Sequence, residues 1–145
     1  MGQFRPPTQS NPYYLPKHKY LAALYYARQY YDLKTELNEL YADCEASGID
    51  YSKDRIQTSG NDTMYLMAAR IAEVNGKLKK ISSTIIAVAP QGLEHFLFLS
   101  VCQGWTYREL KNKKGADGKA DPVPMGKNAF SKMRQRFYFE LSKKI

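Results

Sequence analysis

The C-terminal third of this 145-residue chain is organised around residues 93–110, which read Leu93-Glu94-His95-Phe96-Leu97-Phe98-Leu99-Ser100-Val101-Cys102-Gln103-Gly104-Trp105-Thr106-Tyr107-Arg108-Glu109-Leu110. The first ten residues are strongly apolar and predict a short helix at the centre of the core. Gly104 is expected to end this helix, because glycine readily adopts the left-handed conformation found just after a helix. Thr106 and Glu109 have the spacing of a capping box, which predicts a second, brief helix.

The residues after this stretch predict a loop and then a final helix. Residues 112–124 are rich in lysine, glycine, aspartate and proline, a composition typical of a loop. We expect the last helix over about 127–143, with a buried stripe at three- and four-residue spacing formed by Phe130, Met133, Phe137 and Leu141. The order of apolar helix, short capped helix, connection and basic helix is that of a helix-turn-helix. The 13-residue connection is longer than the usual turn, and it is explained as an insertion or as a basic wing.

Two long helices are expected before this region, at about 17–46 and 62–88, with a polar loop at 47–61. Each has an apolar seam with the alternating three- and four-residue spacing of a heptad. The first seam consists of Ala23, Tyr26, Tyr30, Leu33, Leu37, Leu40 and Cys44, and the second of Met67, Ile71, Val74, Leu78, Ile81, Ile85 and Val88. Such seams are compatible with an antiparallel hairpin within one chain and with a dimer.

The predicted fold class is therefore all-α, with a long helical hairpin followed by a C-terminal helix-turn-helix. We expect three segments: a flexible tail at 1–12, a two-helix hairpin or oligomerisation region at 13–89, and a DNA-binding region at 90–145. Pro90-Gln91-Gly92 is expected to break the second long helix at the last of these boundaries.

The positive charge is concentrated in the last third of the chain. Residues 1–102 hold eleven Lys or Arg and ten Asp or Glu, whereas residues 103–145 hold eleven and four. A basic segment of this kind favours a polyanionic partner, because lysine and arginine release the counterions condensed on phosphates. A solvated basic surface that serves solubility is the alternative.

Double-stranded DNA is the partner that the last helix fits best. Its polar face carries the residue types that read base edges, and we assign that role to Asn128, Ser131, Lys132 and Gln135. The role of binding the DNA backbone phosphates is assigned to ten further residues: Thr106, Tyr107, Arg108, Lys113, Lys114, Lys127, Arg134, Arg136, Lys143 and Lys144. The alternative is that residues 127–143 form an ordinary amphipathic surface helix.

Three stretches of the chain resemble a known family. They are Tyr13-Tyr14-Leu15-Pro16-Lys17-His18-Lys19, then Gly104-Trp105-Thr106-Tyr107-Arg108-Glu109-Leu110, then Met125-Gly126-Lys127-Asn128-Ala129-Phe130 with the following 134–141. The C-terminal block resembles region 4 of sigma factors, and more closely the phage-encoded RinA/ArpU-type late transcription regulators. The resemblance implies a regulator of phage or prophage genes that binds promoter DNA through the last helix, in the cytoplasm of a bacterial host. The longer 112–124 loop departs from that pattern.

An enzyme is not expected from this sequence. His18 and His95 have no acidic partner at a motif spacing, and Cys44 and Cys102 lie at positions expected to be buried as small apolar residues. Two cysteines and two histidines at these spacings do not form a zinc site, and no glycine-rich phosphate loop or other cofactor site is recognised. With no membrane span and no secretion signal expected, the predicted location is the cytoplasm.

Paired tyrosines at 25–26 and 30–31 raise the question of protein partners. One interpretation has one tyrosine of each pair packed and the other partly wet. The other makes these rings a partner surface, for RNA polymerase or a second copy in a homodimer. Two further functions remain open: a DNA-packaging component resembling a small terminase subunit, and a basic helical inhibitor of an acidic host protein.

Overall fold

A computed structural model describes residues 10–46 and 61–145 of the chain. The described residues are mostly helical and form no strand, which confirms the all-α prediction. The helices are α1 (Lys17–Arg28), α2 (Tyr30–Ala46), α3 (Asn61–Val88), α4 (Glu94–Gln103), α5 (Tyr107–Lys111) and α6 (Lys127–Ser142). Within these ranges, no helix combines the length and apolar character that crossing a bilayer requires.

The predicted helix over 17–46 is two helices. Helix α1 ends at Arg28 and α2 begins at Tyr30, so that Gln29 lies between them. The Gln29 N–H donates to the Tyr26 carbonyl at 3.2 Å, a bond to the third residue back that tightens the end of a helix. The heptad spacing continues through this point, since Tyr26 and Tyr30 are four residues apart, and therefore gave no sign of the interruption.

The described residues form two compact units. The main unit holds residues 10–29 and 80–145, and the hairpin unit holds residues 30–46 and 61–79. This division differs from the boundaries expected at residues 12 and 89. The physical reason is that α1 packs against α6 and α4, which places it in the core of the C-terminal region.

The hairpin unit pairs α2 with residues 61–79 of α3 in antiparallel fashion. Cys44, near the end of α2, lies 3.7 Å from the Met67 sulfur atom near the start of α3. Farther from the connecting segment, the two helices bury a common cluster of Leu33, Leu37, Val74 and Leu78. The hairpin arrangement of the two seams is thus observed within one chain for this part of their length.

The main unit buries one face of α6 beneath α1 and α4. The predicted stripe of α6 is confirmed, and Tyr138 extends it: its ring lies edge-on to that of Tyr20 in α1, with centroids 5.3 Å apart.

Gly104 ends α4 with φ +79°, and a Cβ there would lie 2.8 Å from the Arg28 guanidinium. The Thr106–Glu109 capping box is present at the start of α5, as predicted.

The two helical tyrosine pairs behave as the first interpretation states. Tyr25 is 61% exposed whereas Tyr26 is half-buried, and Tyr31 is 43% exposed whereas Tyr30 packs against the hairpin cluster. One ring of each pair therefore contributes to packing, and the other remains on the surface.

An ion-pair group on the hairpin unit gives a prediction for stability against pH. The Arg70 guanidinium bonds Glu36 at 2.7 Å and Glu73 at 3.1 Å, and it lowers the pKa of both carboxyls from 4.5. A lowered folded-state pKa means that the stabilisation is present above the ordinary pKa and is lost as pH falls through the lowered value. We expect Glu36→Gln to show a smaller drop in unfolding midpoint between about pH 5 and about pH 3 than the parent protein.

Circular dichroism with thermal unfolding at both pH values measures this difference. Glu39→Gln, a change at an exposed carboxyl of the same helix, is the matched control. An identical acid-induced drop in the Glu36→Gln protein and its parent would contradict the prediction.

Candidate nucleic-acid interface

The surface of α6 opposite its buried face is open in the first turns of the helix. Four residues of this surface were predicted to read bases: Asn128, Ser131, Lys132 and Gln135. We call the exposed pair Asn128 and Lys132 the open face of α6. Asn128 and Lys132, four residues apart, are exposed, whereas Ser131 and Gln135 are half-buried. Exposed Lys127 stands at the start of the helix, where unpaired backbone N–H groups and the helix dipole favour an anion.

The C-terminal half of the same face is covered by the chain's own N-terminal segment. Asn11 Nδ2 donates to Gln135 Oε1 at 2.8 Å, and the Tyr13 ring lies edge-on to Phe139 with centroids 5.7 Å apart. Residues 10–12, predicted to belong to a flexible tail, thus form an ordered turn against α6; residues 1–9 lie outside the described part. These contacts of Asn11 and Tyr13 were not predicted from the sequence, although Asn-Pro is itself a signal of turn initiation.

Arg134 was predicted to bind phosphate, and the structure contradicts that role. Its side chain is 5% exposed, and its guanidinium donates to the Tyr138 hydroxyl at 3.0 Å and lies over the Tyr138 ring. Burial raises the pKa of Tyr138, so its hydroxyl stays neutral and can accept this bond. The reason for the error is positional: residue 134 follows Phe130 by four residues, and therefore lies on the buried side of the helix.

Five further residues of the predicted phosphate set are already held by other parts of the main unit. The Thr106 hydroxyl caps α5, and the Tyr107 hydroxyl donates to the Met125 carbonyl at 2.7 Å. Lys113 pairs with Asp121, and Lys143 pairs with Glu140 at 3.6 Å. Lys144 donates to Ser83 and Thr84 at 3.1 and 2.8 Å. Arg108, Lys114, Lys127 and Arg136 complete the predicted set and are exposed.

The loop over 112–124 contains a small hairpin, which we call the basic hairpin (residues 113–121). A single antiparallel bridge joins Lys114 to Ala120, and Gly118 turns the chain with φ +78°. The Lys113–Asp121 pair closes its base, with the Lys113 ammonium 5.5 Å from the centre of the Phe96 ring. The exposed lysines 114 and 119 are therefore carried on a fixed support that projects from the end of α5.

The four acidic residues of 103–145 are all engaged locally. Glu109 completes the capping box, and Asp117 accepts the Lys119 N–H at 3.0 Å. Asp121 and Glu140 pair with Lys113 and Lys143. Besides Lys143 and Lys144, seven cations of the segment are exposed: Arg108, Lys111, Lys114, Lys119, Lys127, Lys132 and Arg136. The excess charge of the segment is therefore presented to solvent from α5, the basic hairpin and α6.

The cysteines are buried, as expected from their sequence positions. Burial raises the pKa of the Cys102 thiol to about 12, which keeps it protonated near neutral pH and so weakly nucleophilic. His95 lines a groove of about 220 Å³ together with Glu94, Ser82 and apolar side chains. The Glu94 carboxylate accepts the Gly92 N–H at 2.9 Å, so it is bonded to the backbone. In residues 10–46 and 61–145, no three His, Cys, Asp or Glu side chains gather into a potential metal site.

No protein-family model matches the chain, and comparison with curated proteins and with solved structures likewise gives no significant match.

Neighbouring arginines on α6 offer a matched test of burial. We expect Arg134→Ala to lower the free energy of unfolding by about 1–3 kcal/mol, because the buried Tyr138 hydroxyl loses its donor. Arg136→Ala, on the exposed side, should change stability by less than about 0.5 kcal/mol. Urea unfolding followed by circular dichroism compares the two variants. Equal effects of the two substitutions would show that the assigned burial of Arg134 is incorrect.

Proposed function

We propose that this protein binds double-stranded DNA and regulates transcription, with α5 and α6 as the two helices of a helix-turn-helix. The observation that carries the proposal is the open face of α6, with Asn128 and Lys132 exposed opposite a closely packed apolar face. A helix held by one face and polar on the other can enter the major groove, where asparagine, lysine and glutamine recognise base edges.

The arrangement around α6 supports the same proposal. Tyr107 at the start of α5 bonds the Met125 carbonyl and contacts the Phe130 ring, so α5 is fixed beside the beginning of α6. Arg108 on α5 and lysines 114 and 119 on the basic hairpin are then proposed to contact phosphates on either side of the groove. In this proposal, the connection at 112–124, which is longer than the usual turn of a helix-turn-helix, acts as a wing.

The resemblance to RinA/ArpU-type regulators leads us to propose a phage or prophage promoter as the target. The proposed protein partners are RNA polymerase and a second copy of the chain, for which Tyr25, Tyr31 and Tyr41 offer exposed rings.

A DNA-packaging component and an inhibitor of an acidic protein are the competing functions. A ring of eight or more subunits would favour packaging, and failure to bind any duplex would favour the inhibitor.

The first test of DNA recognition uses selection of bound duplexes from a random library. We expect Asn128→Ala with Lys132→Ala to weaken binding to the selected duplex by about 1–3 kcal/mol per lost base contact. Binding to a scrambled duplex should change far less. Lys34→Ala with Asn38→Ala removes the same two residue types, at the same four-residue spacing, from an exposed face of α2. Equal behaviour of the two double variants would remove the open face of α6 from base recognition.

The second test measures how binding depends on salt. Each phosphate contact contributes about −0.9 to the slope of log affinity against log salt concentration. We expect Lys114→Ala with Lys119→Ala to make the slope less steep by up to about 1.8 and to leave base preference unchanged. Lys34→Ala with Lys79→Ala, at exposed positions of the hairpin unit, is the control. An unaltered slope would mean that the basic hairpin does not lie on the phosphates.

A further inference from the structure

The turn at residues 10–14 is fixed to α6 at two points one helical turn apart. Asn11 holds the turn together, because its Oδ1 accepts the Tyr13 N–H at 2.8 Å and its carbonyl accepts the Tyr14 N–H at 3.0 Å. Its Nδ2 then donates to Gln135 Oε1 at 2.8 Å, and four residues along α6 the Tyr13 ring packs on Phe139. The Lys143 ammonium, 4.4 Å from the centre of the Phe139 ring, packs on the same aromatic side chain.

This bonding settles which end of the Gln135 amide faces Asn11. An amide side chain has an oxygen that accepts and a nitrogen that donates. The Asn11 oxygen is committed to the Tyr13 N–H, so its nitrogen is the group that meets Gln135. Gln135 must therefore turn its oxygen toward Asn11. Its Nε2 hydrogens take no part in this bond and remain available to donate.

We propose that Asn11 is a positioning residue that makes Gln135 a hydrogen-bond donor for guanine in the bound duplex. The inference rests on the proposed function. Glutamine ordinarily recognises adenine through both its oxygen and its nitrogen, but here the bond to Asn11 turns the oxygen toward the N-terminal segment and leaves the nitrogen to meet the base. Guanine presents two adjacent acceptors, N7 and O6, in the major groove. A glutamine held as a donor therefore fits guanine better than adenine, and it rejects cytosine, whose groove edge is a donor.

Two substitutions separate the parts of this arrangement. Asn11→Asp keeps an oxygen for the Tyr13 N–H and replaces the donor to Gln135 by a second acceptor oxygen, so the turn is retained while the Gln135 amide is favoured in the reversed orientation, with its nitrogen toward residue 11. Gln135→Glu keeps an oxygen for Asn11 and loses the Nε2 donor. Asn11→Ser is a second, uncharged variant that caps the turn and is too short to reach Gln135. Asn38→Asp, at an exposed position of α2, controls for the added charge.

Base preference at each position is measured by duplex selection, followed by titration of single-base variants of the selected duplex. We expect one position at which the parent protein prefers guanine, and at which Asn11→Asp and Asn11→Ser lower that preference about tenfold. Gln135→Glu should change the preference at that position to cytosine, whose amino group donates to a carboxylate. Affinity for a scrambled duplex should remain that of the parent for Asn11→Ser, whose unfolding midpoint should fall only slightly with the loss of one part-buried hydrogen bond. Asn11→Asp adds a negative charge beside the proposed groove and should weaken binding to all duplexes alike, so base preference is the quantity compared for that variant.

The outcomes distinguish the inference from the function on which it rests. Absence of binding to any duplex by the parent protein would overturn the proposed function. Selective binding by the parent, with the same base preferences retained in both Asn11 variants, would overturn the positioning role and leave the proposed function standing. A preference for adenine that Gln135→Glu abolishes would likewise overturn the assignment of guanine.

Discussion

Helix α6 buries one face against α1 and α4, and the rest of the main unit depends on that packing. Phe130, Phe137 and Leu141 are fully buried, and Tyr138 adds an edge-on contact with Tyr20. Deleting side chains of this size from a packed core costs several kcal/mol, so the helix is held firmly in one rotational setting about its axis. That setting decides which polar residues reach solvent: it exposes Asn128 and Lys132 and encloses Arg134.

The elements that could be predicted from the sequence are those governed by neighbouring residues. The capping box at Thr106, the left-handed Gly104 and the buried stripe of α6 follow from spacing and backbone sterics alone. The break at Gln29 and the packing of α1 in the main unit could not be predicted in this way. A heptad seam does not identify its partner, so Ala23 was grouped with a seam expected to pair in a hairpin or a dimer, whereas it is buried in the main unit.

The candidate site shows the same division between local pattern and tertiary context. Asn128 and Lys132 are exposed where the amphipathic pattern of α6 places them. Arg134 was placed among the phosphate contacts because it is cationic, although its position relative to Phe130 turns it inward. Asn11 was left in a tail because nothing in residues 10–14 indicates that Gln135, 124 residues later, lies beside it. Contacts between the two ends of a chain have no periodic signal in the sequence.

Charge and geometry make separate contributions to the surface around α6. The cations of 103–145 outnumber the acids by eleven to four, and each of the four acids is held in a local bond. Glu109 cannot shift to neutralise a cation elsewhere without losing the α5 cap, and Asp117 and Asp121 cannot do so without losing bonds of the basic hairpin. The positive field is therefore set by the fold itself and attracts any polyanion. In the proposed function, a side chain whose hydrogen-bonding groups are fixed before binding discriminates among duplexes more sharply, since a fixed donor loses less conformational freedom and cannot rotate to suit another base. Gln135, held by Asn11, has that property, whereas exposed lysines 114 and 119 of the basic hairpin do not.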